Sequence, residues 1–268
     1  MKTSGIITLT TDFGLKDPYV GMMKGVILGI HPSAQLVDIS HEIKVGGVLE
    51  AAGLINEAYP YFPDRTVHTA VVDPGVGGQR RLLGIEANGH FFVGPDNGLF
   101  WPVIEKDRHA KIIKLTESKY FLDSITQTFH GRDIFAPVAA YLAKGVALEK
   151  MGIAIDDPVP LQFTEPYGKD GFLYGQILRV DNFGNLITNI SHDMLKDYLK
   201  SAEPVLESGH LVIRGLSQIY ADSEEGQALI LINSSNRLEI AVNMGRASEY
   251  IGIDSGEIIG TVVKVGKS

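Results

Sequence analysis

Asp73, followed seven and eight residues later by Arg80 and Arg81, frames the densest polar stretch of the chain: Asp73-Pro74-Gly75-Val76-Gly77-Gly78-Gln79-Arg80-Arg81. Glycines let such a loop bring its backbone close to a ligand, and guanidinium groups supply a charge that does not titrate. A phosphate cradle is one reading. However, no Lys-Ser or Lys-Thr pair completes a P-loop, and the spacing does not match the dinucleotide fingerprint. Phe129-His130-Gly131-Arg132-Asp133 is the second candidate. A histidine there can carry a proton near neutral pH, although a lone histidine often serves as an ordinary hydrogen-bonding group. His130 with Asp133 would give two metal ligands where zinc takes three or four, so no metal site is expected.

Aspartates also stand where strand-like runs end. Asp12 follows the first of these and Asp73 the third. Ligands of open α/β sheets bind beyond the carboxyl ends of strands, although an aspartate in such a place is as often a turn former. Toward the C-terminus, Asp181-Asn182-Phe183-Gly184-Asn185 reads as a turn between two strands. It offers carboxylate and amide groups beside an aromatic face, which suits a purine or an amino acid. Asn233-Ser234-Ser235-Asn236-Arg237 is a second polar loop, leading into Leu238-Glu239-Ile240-Ala241-Val242-Asn243. Alternation along that strand places Glu239 and Ala241 on one face. No Gly-x-Ser-x-Gly elbow supports a serine hydrolase.

The elements that must hold these residues follow from periodicity. The expected strands are 5–10, 35–39 and 66–72, and a hairpin of 82–86 and 90–93 turns at Asn88-Gly89. Helices are expected over 18–30, with Asp17 capping and Pro18 in the first turn, over 48–58, and around Ile134 to Leu142. Strands alternating with helices predict an α/β domain over residues 1–165 with a mostly parallel, layered sheet. Past Asp156-Asp157-Pro158 the apolar runs become short: 171–180, 186–190, 211–213, 228–232, 238–242 and 258–265, with one helix at 193–200. That pattern predicts a smaller β domain, sandwich or barrel, over 166–268.

Composition narrows the function further. With 24 basic against 32 acidic residues among 268, the formal net charge is −8, which disfavours nucleic acid as a partner. There is no cysteine, so thiolate nucleophiles, disulfides and Cys-ligated metals are excluded. Lys24 and His31 interrupt the most apolar run, and no membrane span is expected. The segment Met1 to Gly5 has no signal-peptide core, so a cytoplasmic location is expected.

Taken in order, several segments resemble the S-adenosyl-L-methionine hydroxide adenosyltransferase family, the adenosine-forming S-adenosylmethionine hydrolases, which are related to fluorinating and chlorinating enzymes. The segments are Leu9 to Gly14 with Asp17 to Gly21, Val72 to Gly77 with Arg80-Arg81, Gly94-Pro95-Asp96-Asn97-Gly98, Phe129 to Asp133, Asp181 to Asn185, and Glu239 to Asn243. The resemblance implies hydrolysis of S-adenosylmethionine to adenosine and L-methionine, with no cofactor. It also implies a homotrimer with sites at subunit interfaces. An Asp–Arg–His set near the attacking water would fall on Asp73, Arg80 and His130, with Arg81 as the reserve for Arg80. Substrate contacts would fall on Asp12 or Asp17, on Phe129, on Asp181, Phe183 and Asn185, and on Ser234, Glu239, Val242 and Met244. Gly78 stands where many members carry a small hydroxyl residue, and Asn236 where glycine is frequent. Halide-using relatives lack the Asp–Arg–His set, which favours water. A halide-dependent synthase and a non-catalytic adenosine-binding module remain the alternatives.

Overall fold

In the computed structural model, residues 3–253 and 257–268 are described, and the chain divides into one unit ending at Gln162 and a second beginning at Phe163. The first unit is built on seven strands: β1 (Ile6–Thr11), β2 (Gln35–Ser40), β3 (Val67–Val71), β4 (Leu82–Ala87), β5 (His90–Pro95), β6 (Lys111–Leu115) and β7 (Gly152–Ile155). Their order is β2-β1-β3-β5-β4-β6-β7. The pairings of β1 with β2, β1 with β3 and β3 with β5 are parallel, whereas β4–β5, β4–β6 and β6–β7 are antiparallel. The sheet is therefore half parallel, not mostly parallel. One antiparallel pairing is the expected hairpin, where Asn88 and Gly89 both take positive φ, 51° and 80°, and turn β4 straight back along β5; the pairings of β6 with β4 and β7 supply the other two.

Alternation along the strands gives each sheet face its own core. Ile7, Leu9, Val67, Phe91 and Val93 pack with Met23 and Ile27 of α1 (Tyr19–Ile30) and with α4 (Ala136–Ala143). Ala70, Phe92 and Leu83 pack instead with Ala51 and Ile55 of α2 (Val48–Ala58) and with Val103 of α3 (Trp101–Ile104). Asp17 does not cap α1. The cap position is Pro18, without a side-chain bond, and its carbonyl accepts from Met22 N at 2.8 Å while Asp17 is exposed. Proline's fixed φ already sets the first turn, so the aspartate is not drawn in.

The second unit comprises β8 (Tyr167–Lys169), β9 (Phe172–Val180), β10 (Leu186–Ser191), α5 (His192–Leu199), β11 (Pro204–Ser208), β12 (Leu211–Arg214), β13 (Ala228–Ile232), β14 (Arg237–Val242) and β15 (Val262–Lys267). The strand path runs β12-β11-β15-β9-β10-β14-β13, with β8 on β9. Its two ends approach each other, because Ser217 N, just past β12, donates to Ile230 O of β13 at 2.9 Å. Every described strand pairing in this unit is antiparallel. The last strand begins at Val262 rather than near Ile258. Gly260 turns at φ 88° and its N–H bonds Ile177 O, so buried Ile258 fills the core from a turn.

A buried histidine pair crosses the centre of the first sheet. Thr8 Oγ1 meets His68 Nδ1 at 2.9 Å, and His68 Nε2 meets His90 Nδ1 at 3.2 Å, with Tyr59 and Phe92 against both rings. Burial, with His90 adding to it, pushes His68 down to about 3 from an ordinary 6.5. A histidine whose folded pKa is depressed contributes full stability above its unfolded value, and that contribution drains as pH falls toward the folded one. Urea midpoints measured from about pH 7 to about pH 4 should therefore drop more steeply in the wild-type protein than in His68→Gln. Parallel curves would show that this pair does not set the acid limit.

Candidate active site

β3 ends at Val71, and two residues on Asp73 turns back beneath the glycine loop with its side chain only 4% exposed. Arg80, 10% exposed, returns to it: Nε lies 2.8 and 2.9 Å from the two carboxylate oxygens, and Nη2 bonds Oδ2 as well. The same Nη2 lies 2.9 Å from His130 Nδ1. Arginine has no acceptor, so Nδ1 must accept, and the imidazole is neutral with its proton on Nε2. Burial holds His130 below the ordinary histidine range, the Arg80 charge adds to this, and Asp73 and Asp133 oppose it.

Asp73, Arg80 and His130, distant in sequence, thus form one contact group. Arg81 faces elsewhere: Nε bonds buried Asp96 at 2.6 Å and Nη1 bonds Asp157 at 2.6 Å. Gly77, at φ 76°, is what lets the loop close, since a Cβ there would collide with the Gln127 carbonyl. His130 precedes a π-helical turn, Gly131–Phe135, that leads into α4. Gly131 is packed beneath Met23, Phe13 and Phe129. Phe129, the residue before His130, meets Phe13 and Tyr19 edge to face, the three pairs at 5.3–6.0 Å, and these rings line a cleft of about 430 Å³ with Met22, Thr126 and Arg132. Phe129 is therefore a cleft residue. Asp12 is half-buried and accepts from Gly46 N at 2.8 Å, whereas Asp17 is exposed.

A second cleft, about 490 Å³, lies within the second unit and is lined by Phe183, Asn185, Tyr220, Val242, Met244 and Arg246 among others. Phe183 is 72% and Met244 84% exposed. Asp181 itself is absorbed by the turn, where Oδ1 accepts from the N–H groups of Phe183 and Asn185 and Oδ2 from Asn185 Nδ2. Glu239 does not line the cleft. It is buried on β14 and accepts from the Tyr220 hydroxyl at 2.8 Å. Burial raises the Glu239 carboxyl, and burial with the Glu239 bond pushes the Tyr220 hydroxyl up to about 12. Ser234 is exposed in its loop and is not among these lining residues.

Sequence reasoning did not single out the cleft-lining residues Phe13, Tyr19, Tyr220 and Arg246 as substrate contacts. For Tyr19 the signal was present, since it opens the helix beside Asp17. For Tyr220, which sits in a short 3-10 turn, no periodicity marked it.

Comparison with known proteins follows this geometry. A family model described as the SAM hydroxide adenosyltransferase N-terminal domain matches residues 7–152, and its C-terminal counterpart matches 175–260. A protein of Methanocaldococcus jannaschii named (R)-S-adenosyl-L-methionine hydrolase is 38% identical over 93% of this chain and 92% of its own. One of Salinispora tropica with the same name is 35% identical over 94% and 95%. Among solved structures, an uncharacterized conserved protein from Thermotoga maritima superposes with a TM-score of 0.89 at 34% identity, covering 97% of this chain and all of that one.

The proton inventory of His130 can be read directly. Its Cε1 proton should titrate below the ordinary midpoint of 6.5, and Arg80→Ala should move that midpoint upward by removing an adjacent positive charge. An unchanged midpoint in the variant would contradict the contact between the two side chains.

Proposed function

Because this chain belongs to the SAM hydroxide adenosyltransferase family, we infer that it is an enzyme that hydrolyses S-adenosyl-L-methionine to adenosine and L-methionine. The observation that carries the catalytic reading is the buried Asp73–Arg80–His130 group, whose His130 directly follows the cleft residue Phe129. The oxygen of water attacks ribose C5′ as the C5′–S bond breaks and its electron pair stays on sulfur. Sulfonium becomes a neutral thioether, so the leaving group needs no acid. The demanding part is the nucleophile, since bulk water has a pKa of about 15.7.

A guanidinium beside that water favours developing hydroxide, and its being fixed beforehand is what makes it effective. Arg80 Nη1 makes none of the described bonds and is the part of the fork that remains for a water. Asp73 is placed to take the proton, because a carboxylate has about four acceptor sites and Arg80 occupies three. His130 Nδ1 is already committed to Arg80, so its part is to hold the guanidinium rather than to act as base. The step as written uses no metal or cofactor. The cleft of the second unit, with exposed Phe183 and Met244, offers flat apolar faces suited to adenine. The homotrimer with shared sites that the family resemblance implies belongs to this reading as a proposal.

Turnover in isotopically labelled water should place solvent oxygen in the adenosine 5′-hydroxyl, with methionine formed in equal amount. Adenosine without the label would rule out direct attack at C5′, and a 5′-halo product on adding chloride or fluoride would move the enzyme to halide chemistry. Arg80→Ala should lower kcat by on the order of a hundredfold or more while KM changes far less, as expected when an interaction matters mainly in the transition state. A loss confined to KM would reassign Arg80 to substrate binding. For shared sites, mixing Asp73→Ala with Phe183→Asp under subunit exchange should restore activity that neither has alone, and verified mixed oligomers without activity would count against them.

A further inference from the structure

Gly94-Pro95-Asp96-Asn97-Gly98 is one of the segments that carry the family resemblance, yet the proposed reaction does not use it and it lines neither cleft. It runs from the end of β5 into the turn before α3. β3 and β5 are parallel neighbours, so their carboxyl ends lie side by side, and Asp73 stands just past the end of β3. Gly94 makes the approach close, since a Cβ there would collide with the Ala70 carbonyl.

Asn97, half-buried, takes the entry of the glycine loop. Its Nδ2 donates to Val72 O at 2.9 Å, and Val72 is the buried residue directly before Asp73. Its Oδ1 accepts from Leu99 N at 3.2 Å. A carbonyl needs a donor and an N–H an acceptor, so only one orientation of the amide serves both. Asp96 takes the exit. Its N–H donates to Arg81 O at 3.0 Å and its Oδ2 accepts from Arg81 Nε at 2.6 Å, and Arg81 directly follows Arg80. Asp96 is itself held, because its Oδ1 accepts from Val159 N at 2.8 Å. Two consecutive residues thus grip both stems of the loop that carries the ion pair. Within the loop the described backbone bonds are short-range, Val76 N to Asp73 O at 3.2 Å and Gly78 N to Gly75 O at 3.0 Å. A glycine-rich loop is not stiffened by these alone, so the spacing of its stems depends on what holds them from outside. The fork of Arg80 on Asp73 is exacting in geometry and depends on that spacing.

We propose that Asn97, with Asp96 beside it, is a positioning residue for the reaction: by tying the Val72 carbonyl to the turn that also holds Arg81, it sets the spacing at which Arg80 closes on Asp73 and His130. The kinetic consequence rests on the hydrolase reading, whereas the consequence for His130 is independent of it. Asn97→Ala removes the donor without adding charge. Its kcat should fall on the order of tenfold to a hundredfold, with KM for S-adenosylmethionine within about twofold. In the same variant the NMR midpoint of the His130 Cε1 proton should rise toward that of Arg80→Ala, because the guanidinium no longer rests against the ring. Asn97→Asp keeps an acceptor for Leu99 N but sets an anion where the Val72 carbonyl needs a donor, so its kcat should fall at least as far. Asp157→Asn, which alters only the exposed end of the Arg81 contacts, should keep the wild-type kcat and midpoint. If Asn97→Ala does not fold, Asp96→Asn replaces it and loosens the other stem. Loss of a carboxylate would by itself lower the midpoint, so a rise in that variant reports the guanidinium.

A wild-type His130 midpoint in folded Asn97→Ala overturns the proposal whatever happens to turnover. So does a loss confined to KM, a wild-type kcat in Asn97→Asp, or an equal fall of kcat in Asp157→Asn, which would mean that any loosening of this corner acts alike. A wild-type protein that does not turn over S-adenosylmethionine would remove the hydrolase reading and leave the role of Asn97 to be judged by the His130 midpoint alone.

Discussion

A guanidinium that is only 10% exposed has to be answered by a carboxylate, and the pairing of Arg80 with Asp73 is the constraint around which the first unit's site is arranged. Removing one partner of such a pair leaves an uncompensated buried charge, at a cost of about 3–5 kcal/mol. The pair also dictates backbone. Asp73 must lie just beyond a central strand, where sheet order puts β3 between β1 and β5. Seven residues must then fold back on themselves within a few ångströms, which the glycines of the loop permit. Gly77 brings that loop against Gln127, a few residues before His130. Fold and site are thus specified by the same short contacts, and a change to the loop disturbs both.

The second unit solves a different problem, namely how to leave apolar surface exposed without unfolding the turn that carries it. Asp181 spends both oxygens on backbone and side-chain donors of its own turn, so Phe183 is presented by a rigid support rather than by a floppy hairpin. Tyr220 is held in a related way. Its hydroxyl is tied to Glu239 beneath the cleft, and the shifts of the two groups are in the same direction because burial disfavours both anions. Polar groups that look from sequence like ligand contacts are here the supports of aromatic faces.

That difference explains what could be read in the chain beforehand. The hairpin at Asn88-Gly89 and the apolar face of α1 were legible, because turn chemistry and 3.6-residue periodicity are local properties. The balance of parallel and antiparallel strands was not, since strand direction depends on pairings such as β4 with β6 that no local pattern encodes. Asp17 next to Pro18 looked like a cap, yet proline alone suffices there. The sequence positions of Asp73, Arg80 and His130 could be singled out through family resemblance, whereas the choice between Arg80 and Arg81 depends on side-chain direction. The structure turns Arg81 to Asp96 and Asp157. Asp133 looked like half of a metal pair with His130, and only its bonds to Thr126 and Arg132 show a carboxylate already fully engaged.

The same ion pair bears on which nucleophile the site can use. A pocket built for a halide needs donors whose positive charge is not already answered, because the anion must be paid for its lost hydration. Here Asp73 takes Nε and Nη2 of Arg80, and His130 takes a further Nη2 contact, so the local charge is close to balanced before any ligand arrives. An incoming anion would find little net attraction. Water has no charge to compensate, and in the proposed reaction it would gain from the same arrangement twice: a fixed N–H would stabilise negative charge as it forms on oxygen, and the neighbouring carboxylate would accept the proton released. Pre-neutralising the guanidinium therefore favours a nucleophile that acquires its charge within the site over one that brings it in.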